Sequence, residues 1–134
     1  MKNGPFIFDS YALSKVFQKE KGYENIVGLL GNIKKTQVTK YINIINVGEI
    51  IYTTKRAFGD QKKLEVLASI ERLNFTILQA TNSLVYHAAE YKAQYRISYA
   101  DCFVLASAIE HKATIVTGDP EFKKVEHLVD IVWV

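Results

Sequence analysis

Residues 98–122 read SYADCFVLASAIEHKATIVTGDPEF, and the order of the parts in this stretch decides the fold. Tyr99 to His111 has the composition of a helix that is apolar almost all round, with Phe103, Val104, Leu105, Ala106, Ala108 and Ile109, and such a helix is a buried one. Thr114-Ile115-Val116 then reads as a short β-branched strand. A strand reached through a helix rather than a tight turn implies parallel pairing by a crossover connection. In sheets of that kind, function collects beyond the carboxyl ends of the strands. Thr117-Gly118-Asp119 falls there. Asp101, a lone charge in the first turn of a buried helix, needs a reason of its own.

Outward from this stretch the same alternation repeats. Phe6-Ile7-Phe8 reads as a first strand, followed by a helix from about Tyr11 to Lys19. A second helix covers roughly Tyr23 to Lys34, where Ile26, Leu29, Leu30 and Ile33 keep helical spacing. Tyr41 to Ile45 is strand-like, and a helix follows from Val47 towards Ala57. Asp60 opens another helix carrying Leu64, Leu67, Ile70 and Leu73, and Phe75 to Leu78 reads as a third strand. A further helix runs from about Asn82 to Tyr95, and Ile131 to Trp133 makes a fifth strand. The expectation is a three-layer α/β/α sandwich around a parallel sheet of about five strands, covered on both faces. No repeat, low-complexity tract or Pro/Gly-rich linker divides the chain, so one domain spans 1–134.

The 134 residues suffice to bury a core without staples. Seventeen basic against fourteen acidic side chains leave a net charge of +3, which permits a polyanionic partner without demanding one. Cys102 stands alone, which excludes an intrachain disulfide and a thiolate metal cluster. It fits a small core filler. No apolar run nears the length of a membrane span. The start, Met1 to Pro5, leads into only three apolar residues, too few for a signal peptide. The expected setting is cytoplasmic, with no membrane partner.

Four acids occupy the same kind of place. Asp9 follows the first strand, Glu49 lies four residues past Ile45, Asp119 follows the fourth strand, and Asp101 opens the buried helix. Each has a capping explanation as well. Ser98 with Asp101, and Asn46 with Glu49, have the spacing of capping boxes. Asp119 before Pro120 suits an N-cap, as does Asp9 before Ser10. On a parallel sheet, however, Asp9, Glu49 and Asp119 emerge at one edge, and Asp101 can join them from the buried helix. Carboxylates ~5 Å apart at an effective dielectric near 20 repel by about 3 kcal/mol per pair. That outweighs the ~1 kcal/mol a cap returns. Raised pKa values or a bound cation must relieve the repulsion. With oxygen ligands and no histidine or cysteine among them, Mg²⁺ or Mn²⁺ is favoured over zinc.

At these residues the chain resembles a PIN-domain nuclease of the VapC type, the toxin of prokaryotic toxin–antitoxin pairs. The resemblance is carried by Phe6 to Leu13, by Ile45 to Ile50, and most fully by Ser98 to Ala106 running into Ala113 to Phe122. It implies a Rossmann-like PIN fold and cleavage of single-stranded RNA with one or two Mg²⁺ or Mn²⁺ ions. The family's four acids map onto Asp9, Glu49, Asp101 and Asp119. Its supporting polar residues map onto Ser10, Asn46 and Thr117. Asn46 stands where Ser or Thr is common. Tyr11 departs from the small polar residue of many members and would alter the lip of the site. The resemblance also implies a homodimer, with apolar residues between Tyr23 and Leu30 or between Tyr52 and Phe58 in its interface. A small antitoxin would insert a segment near the acids.

Lys55, Arg56 and Arg96 flank the acidic elements and are candidates for phosphate contact. His87, His111 and His127 share no ligand spacing and are expected in structural or surface roles. Two other function classes stand beside the nuclease. A receiver-type or phosphoryl-transfer α/β domain also clusters acids at strand ends, but Asp9 is followed by Ser10 and Tyr11 rather than a second acid. A catalytically silent PIN-like module would bind RNA or protein without cutting.

Overall fold

The computed structural model describes residues 3–134. The expectation about a leader segment rests partly on Met1 and Lys2, outside those residues. Five strands, β1 (Phe6–Phe8), β2 (Lys40–Asn43), β3 (Thr76–Leu78), β4 (Thr114–Thr117) and β5 (Ile131–Trp133), form one sheet in the order β3-β2-β1-β4-β5. Every neighbouring pair is parallel. All carboxyl ends therefore lie at one edge.

Six helices connect them: α1 (Ser10–Phe17), α2 (Tyr23–Thr36), α3 (Ile44–Phe58), α4 (Asp60–Arg72), α5 (Asn82–Gln94) and α6 (Tyr99–His111). They cover both faces, and strand alternation shows it directly. Ile7 belongs to the core beneath α5 and α6 with Phe103, Leu105 and Ile115, whereas Phe6 and Phe8 point into the other core with Leu13, Ile26 and Val116. Each fully buried Phe or Ile contributes roughly 1.5–3 kcal/mol. β1 lies between β2 and β4 and is buried throughout, which fixes the residue that follows it.

α6 matches its sequence pattern, since Asp101 to Ala108 is buried without a break. Cys102 fills that core, and burial pushes its thiol up to about 11. Two boundaries differ from the sequence expectation. Ile44 and Ile45, β-branched and expected in the second strand, are helical. The Asn43 side chain accepts the Ile45 N–H at 2.9 Å and starts α3 there, which overrides local strand preference. The second difference is a two-turn stretch of 3-10 helix at Pro120–Val125, which the sequence pattern did not resolve.

Candidate active site

Asp9 sits directly beyond β1, where the chain must leave the sheet. Its carboxylate caps α1, accepting the Ala12 N–H at 2.8 Å, and its other oxygen accepts the Thr117 hydroxyl from the end of the neighbouring strand β4. The residue is only 1% exposed. Burial pushes its carboxyl up to about 7, against the pull of these two donors, with the charges of Asp119 and Glu49 adding to the rise.

Thr117 serves two acids at once. Besides donating to Asp9, its hydroxyl accepts the Asp119 N–H at 3.0 Å. Asp119 in turn caps the 3-10 helix, accepting the Glu121 N–H at 3.0 Å. Gly118, between them, is required by close packing. A Cβ there would stand 2.5 Å from the Val134 carbonyl and 2.7 Å from the Tyr11 ring. Tyr11, the departure from the family pattern, thus lies on the rim of the site.

Asp101 enters from α6. Its N–H donates to the Ser98 hydroxyl at 3.1 Å, so half of the capping box exists. The carboxyl is nevertheless pushed up to about 7, first by burial and then by the charge of Asp9, with Asp119 and Glu49 contributing. Glu49 is different. Because α3 starts at Ile44, Glu49 lies in the second turn, and the capping-box explanation with Asn46 is removed. Ser10 Oγ at 2.9 Å and Asn46 Nδ2 at 3.0 Å both donate to its Oε1. Asn46 is fully buried, and its Oδ1 has no partner among the described residues. Such an orphan acceptor costs about 1–3 kcal/mol, tolerated where the amide's other end must aim at a carboxylate.

The four acids therefore share one cleft of about 380 Å³, beyond the carboxyl ends of β1 and β4. Capping and convergence coexist: Asp9 and Asp119 do both. Glu121, to which the sequence reading gave no role, joins them. One carboxylate oxygen each from Asp101, Asp119 and Glu121 lie within 4.8 Å of one another. Its only sequence signal was position, two residues past Asp119, where an ordinary first-turn glutamate also belongs. Glu20 lines the cleft too, without any signal in the sequence. Lys55, Arg56 and Arg96 do not line it. Lys55 pairs with Asp60 at 3.2 Å, Arg56 lies over the Tyr52 ring at 5.4 Å, and the Arg96 carbonyl accepts Lys124. His87, His111 and His127 are also absent from the lining.

An all-oxygen donor set, crowded and partly desolvated, fits a hard divalent cation. Asp101, Asp119 and Glu121 satisfy the spacing, and Asp9 and Glu49 are close enough to raise the Asp101 carboxyl electrostatically.

Comparison with known proteins agrees with this architecture. No curated protein matches the chain. Among solved structures, the chain is similar to VapBC from Salmonella typhimurium bound to DNA, with a TM-score of 0.73 and 16% identity over 97% of this chain and 98% of that one. VapBC2 from Rickettsia felis, bound to a fragment of its promoter DNA, gives 0.72 and 16% over 96% and 98%. The VapC20 toxin of Mycobacterium tuberculosis, which cleaves the sarcin–ricin loop, gives 0.67 and 10% over 83% and 87%. At these identities the likeness is one of fold. The family model of the PIN domain matches residues 6–128, from β1 to just short of β5. With that match the receiver-type alternative falls away, and the chain belongs to the PIN-domain family.

Proposed function

We propose that this chain is a metal-dependent endoribonuclease acting on single-stranded RNA, and the toxin of a toxin–antitoxin pair. The observation that carries the proposal is the convergence of Asp9, Glu49, Asp101 and Asp119 on one cleft of a PIN fold. Cleavage of the sarcin–ricin loop by the Mycobacterium relative supports RNA as the substrate class. The two VapBC neighbours support a partner antitoxin.

In this proposal Asp9, Asp101 and Asp119 hold Mg²⁺ or Mn²⁺, with Glu121 beside them. A divalent cation bound there supplies Lewis acidity and neutralises charge at the scissile phosphodiester. The protein's own contribution is positional. Thr117 holds Asp9 and the Asp119 backbone in fixed register across β1 and β4. Ser10 and Asn46 take one oxygen of Glu49, whose other oxygen has no donor among the described residues. That oxygen suits a base for the attacking water or a water-bridged ligand. Arg56 is one helical turn past Thr53, a cleft residue, and two past Glu49, so it remains the better placed of the candidate phosphate contacts. Of the interface candidates, Leu30 is buried while Val27 of α2 and Tyr52 and Phe58 of α3 are exposed, so the proposed homodimer draws on the α2 or the α3 surface.

The test is cleavage of a single-stranded RNA with Mn²⁺ by the wild type and Asp101→Asn. Asparagine keeps the shape while removing the charge. The expected outcome is loss of cleavage with thermal stability in EDTA unchanged or raised, because like-charge repulsion is relieved. An Asp101→Asn protein that still cuts at the wild-type rate would sink the mechanism. A wild type that binds RNA and Mn²⁺ but never cuts would instead identify a silent module.

A further inference from the structure

The amino edge of the sheet, opposite the acids, holds a larger cavity of about 520 Å³ between the ends of α2 and α4 and the starts of β2 and β3. Three cationic side chains line it, Lys34, Lys40 and Arg72, and no acid does. Leu30, Ile33 and Leu73 give it an apolar wall. We propose that this cavity is a second ligand site, which takes a phosphate-bearing ligand of nucleotide size.

Helix dipoles account for only part of the charge. Lys34 and Arg72 lie in the last turns of α2 and α4, where cations are favoured, and α2 has Lys35 there as well. Lys40 belongs to a strand and serves no helix end. Burial and the neighbouring Lys34 charge lower its ammonium below the ordinary lysine range, and its observed contact is with the face of the Phe75 ring at 5.5 Å. Among the described residues no carboxylate pairs with any of the three cations, since the ion pairs both fall on Asp60. Arg72 donates to the Ser69 hydroxyl at 3.0 Å, a neutral partner, and cations without a counter-charge around a cavity are stabilised by an anion bound between them. Lysine and arginine together favour phosphate oxygens. The volume is that of a small-molecule site, and the apolar wall offers a face for a base.

Both a free nucleotide and the phosphorylated end of an RNA carry this chemistry. Calorimetric titration of the full chain in EDTA separates them and silences the acid cleft, which repels phosphate without a cation. The probes are ATP, inorganic phosphate, and an RNA trinucleotide with and without a terminal phosphate. Saturable binding of ATP, or of the trinucleotide only when phosphorylated, is expected, the first pointing to a nucleotide and the second to an RNA end. Lys34→Gln/Lys40→Gln should weaken it by about tenfold or more, and Arg72→Gln likewise. Lys123→Gln/Lys124→Gln, on the 3-10 helix, should change it by less than about twofold. These lysines are not in the acid cleft, so Mn²⁺-dependent cleavage of unphosphorylated RNA should be retained in the Lys34/Lys40 variant, which also reports that it folds. The proposal is overturned if no probe saturates, if the double variant binds as the wild type does, or if the Lys123/Lys124 control loses as much.

Discussion

Asp9 is protonated more readily in the folded chain than in the unfolded one, and this has a definite sign. Its carboxyl rises from 3.8 to about 7 on folding, as does that of Asp101. The folded state therefore binds more protons than the unfolded state between those values, and stability falls as pH rises through that window. Over the upper part, from pH 5.5 to 8, one such group accounts for about 2 kcal/mol. Urea unfolding in EDTA should show the wild type more stable at pH 5.5 than at pH 8, with a flatter profile for Asp9→Asn. A wild-type profile that rises with pH would contradict burial as the dominant cause. Thr117 gives a second residue-scale prediction. Thr117→Val keeps the shape but removes both the donor to Asp9 and the acceptor for the Asp119 N–H. Loss of such support around a metal site typically costs about 10- to 100-fold in metal affinity or activity. Cleavage followed against Mn²⁺ concentration should show that loss, and Thr117→Ser should restore most of it.

Between elements, the decisive link is a pair of buried polar side chains, Asn43 and Ser107. Asn43 Oδ1 starts α3, the helix of Glu49, while its Nδ2 donates to Ser107 Oγ at 3.1 Å on α6, the helix of Asp101. One amide thus sets where α3 begins and ties it to its neighbour. Asn43→Ala should cost about 1 kcal/mol for the cap, and about 1–3 kcal/mol more for the hydroxyl left unpaired. A double-mutant cycle with Ser107→Ala isolates the bond between them, and a coupling of about 0.5 kcal/mol or more is expected from denaturant midpoints. Simple additivity of the two losses would mean that the bond does not hold the helices together.

At the scale of the whole molecule, charge is sorted by the sheet. The chain carries +3 overall, yet the cleft at the carboxyl ends of β1 and β4 is lined by carboxylates, and the cavity at the starts of β2 and β3 by cations. A divalent ion that binds only the folded chain stabilises it by mass action, about 2.7 kcal/mol at a hundred times its dissociation constant. The thermal midpoint should rise with the logarithm of Mn²⁺ concentration, and more steeply at pH 8 than at pH 6, because Asp9 and Asp101 must release protons to bind. Asp119→Asn should abolish most of the response. A midpoint indifferent to Mn²⁺ would leave the acids without a cation to justify them. No helix among the described residues is long and apolar enough to cross a membrane.

Periodicity and punctuation alone settled the alternation of helices and strands, the parallel sheet of five and the buried character of α6, and they made Asp9, Glu49, Asp101 and Asp119 candidates for one edge of that sheet. These are local properties: an apolar helix or a β-branched run declares itself within a dozen residues. What the tertiary structure alone decided depends on contacts between distant parts of the chain. Thr117 reaches Asp9 across 108 positions, and Asn43 reaches Ser107 across 64. The first converts two capping aspartates into one site. The second ties the start of α3 to α6, while the local bond from the Ile45 N–H to Asn43 moves Ile44 and Ile45 out of a strand and Glu49 out of a capping box. The burial that raises Asp9 and Asp101, the recruitment of Glu121, and the meeting of Lys34, Lys40 and Arg72 likewise arise only when separate elements pack. No short window of sequence contains both ends of the Thr117–Asp9 or the Asn43–Ser107 contact.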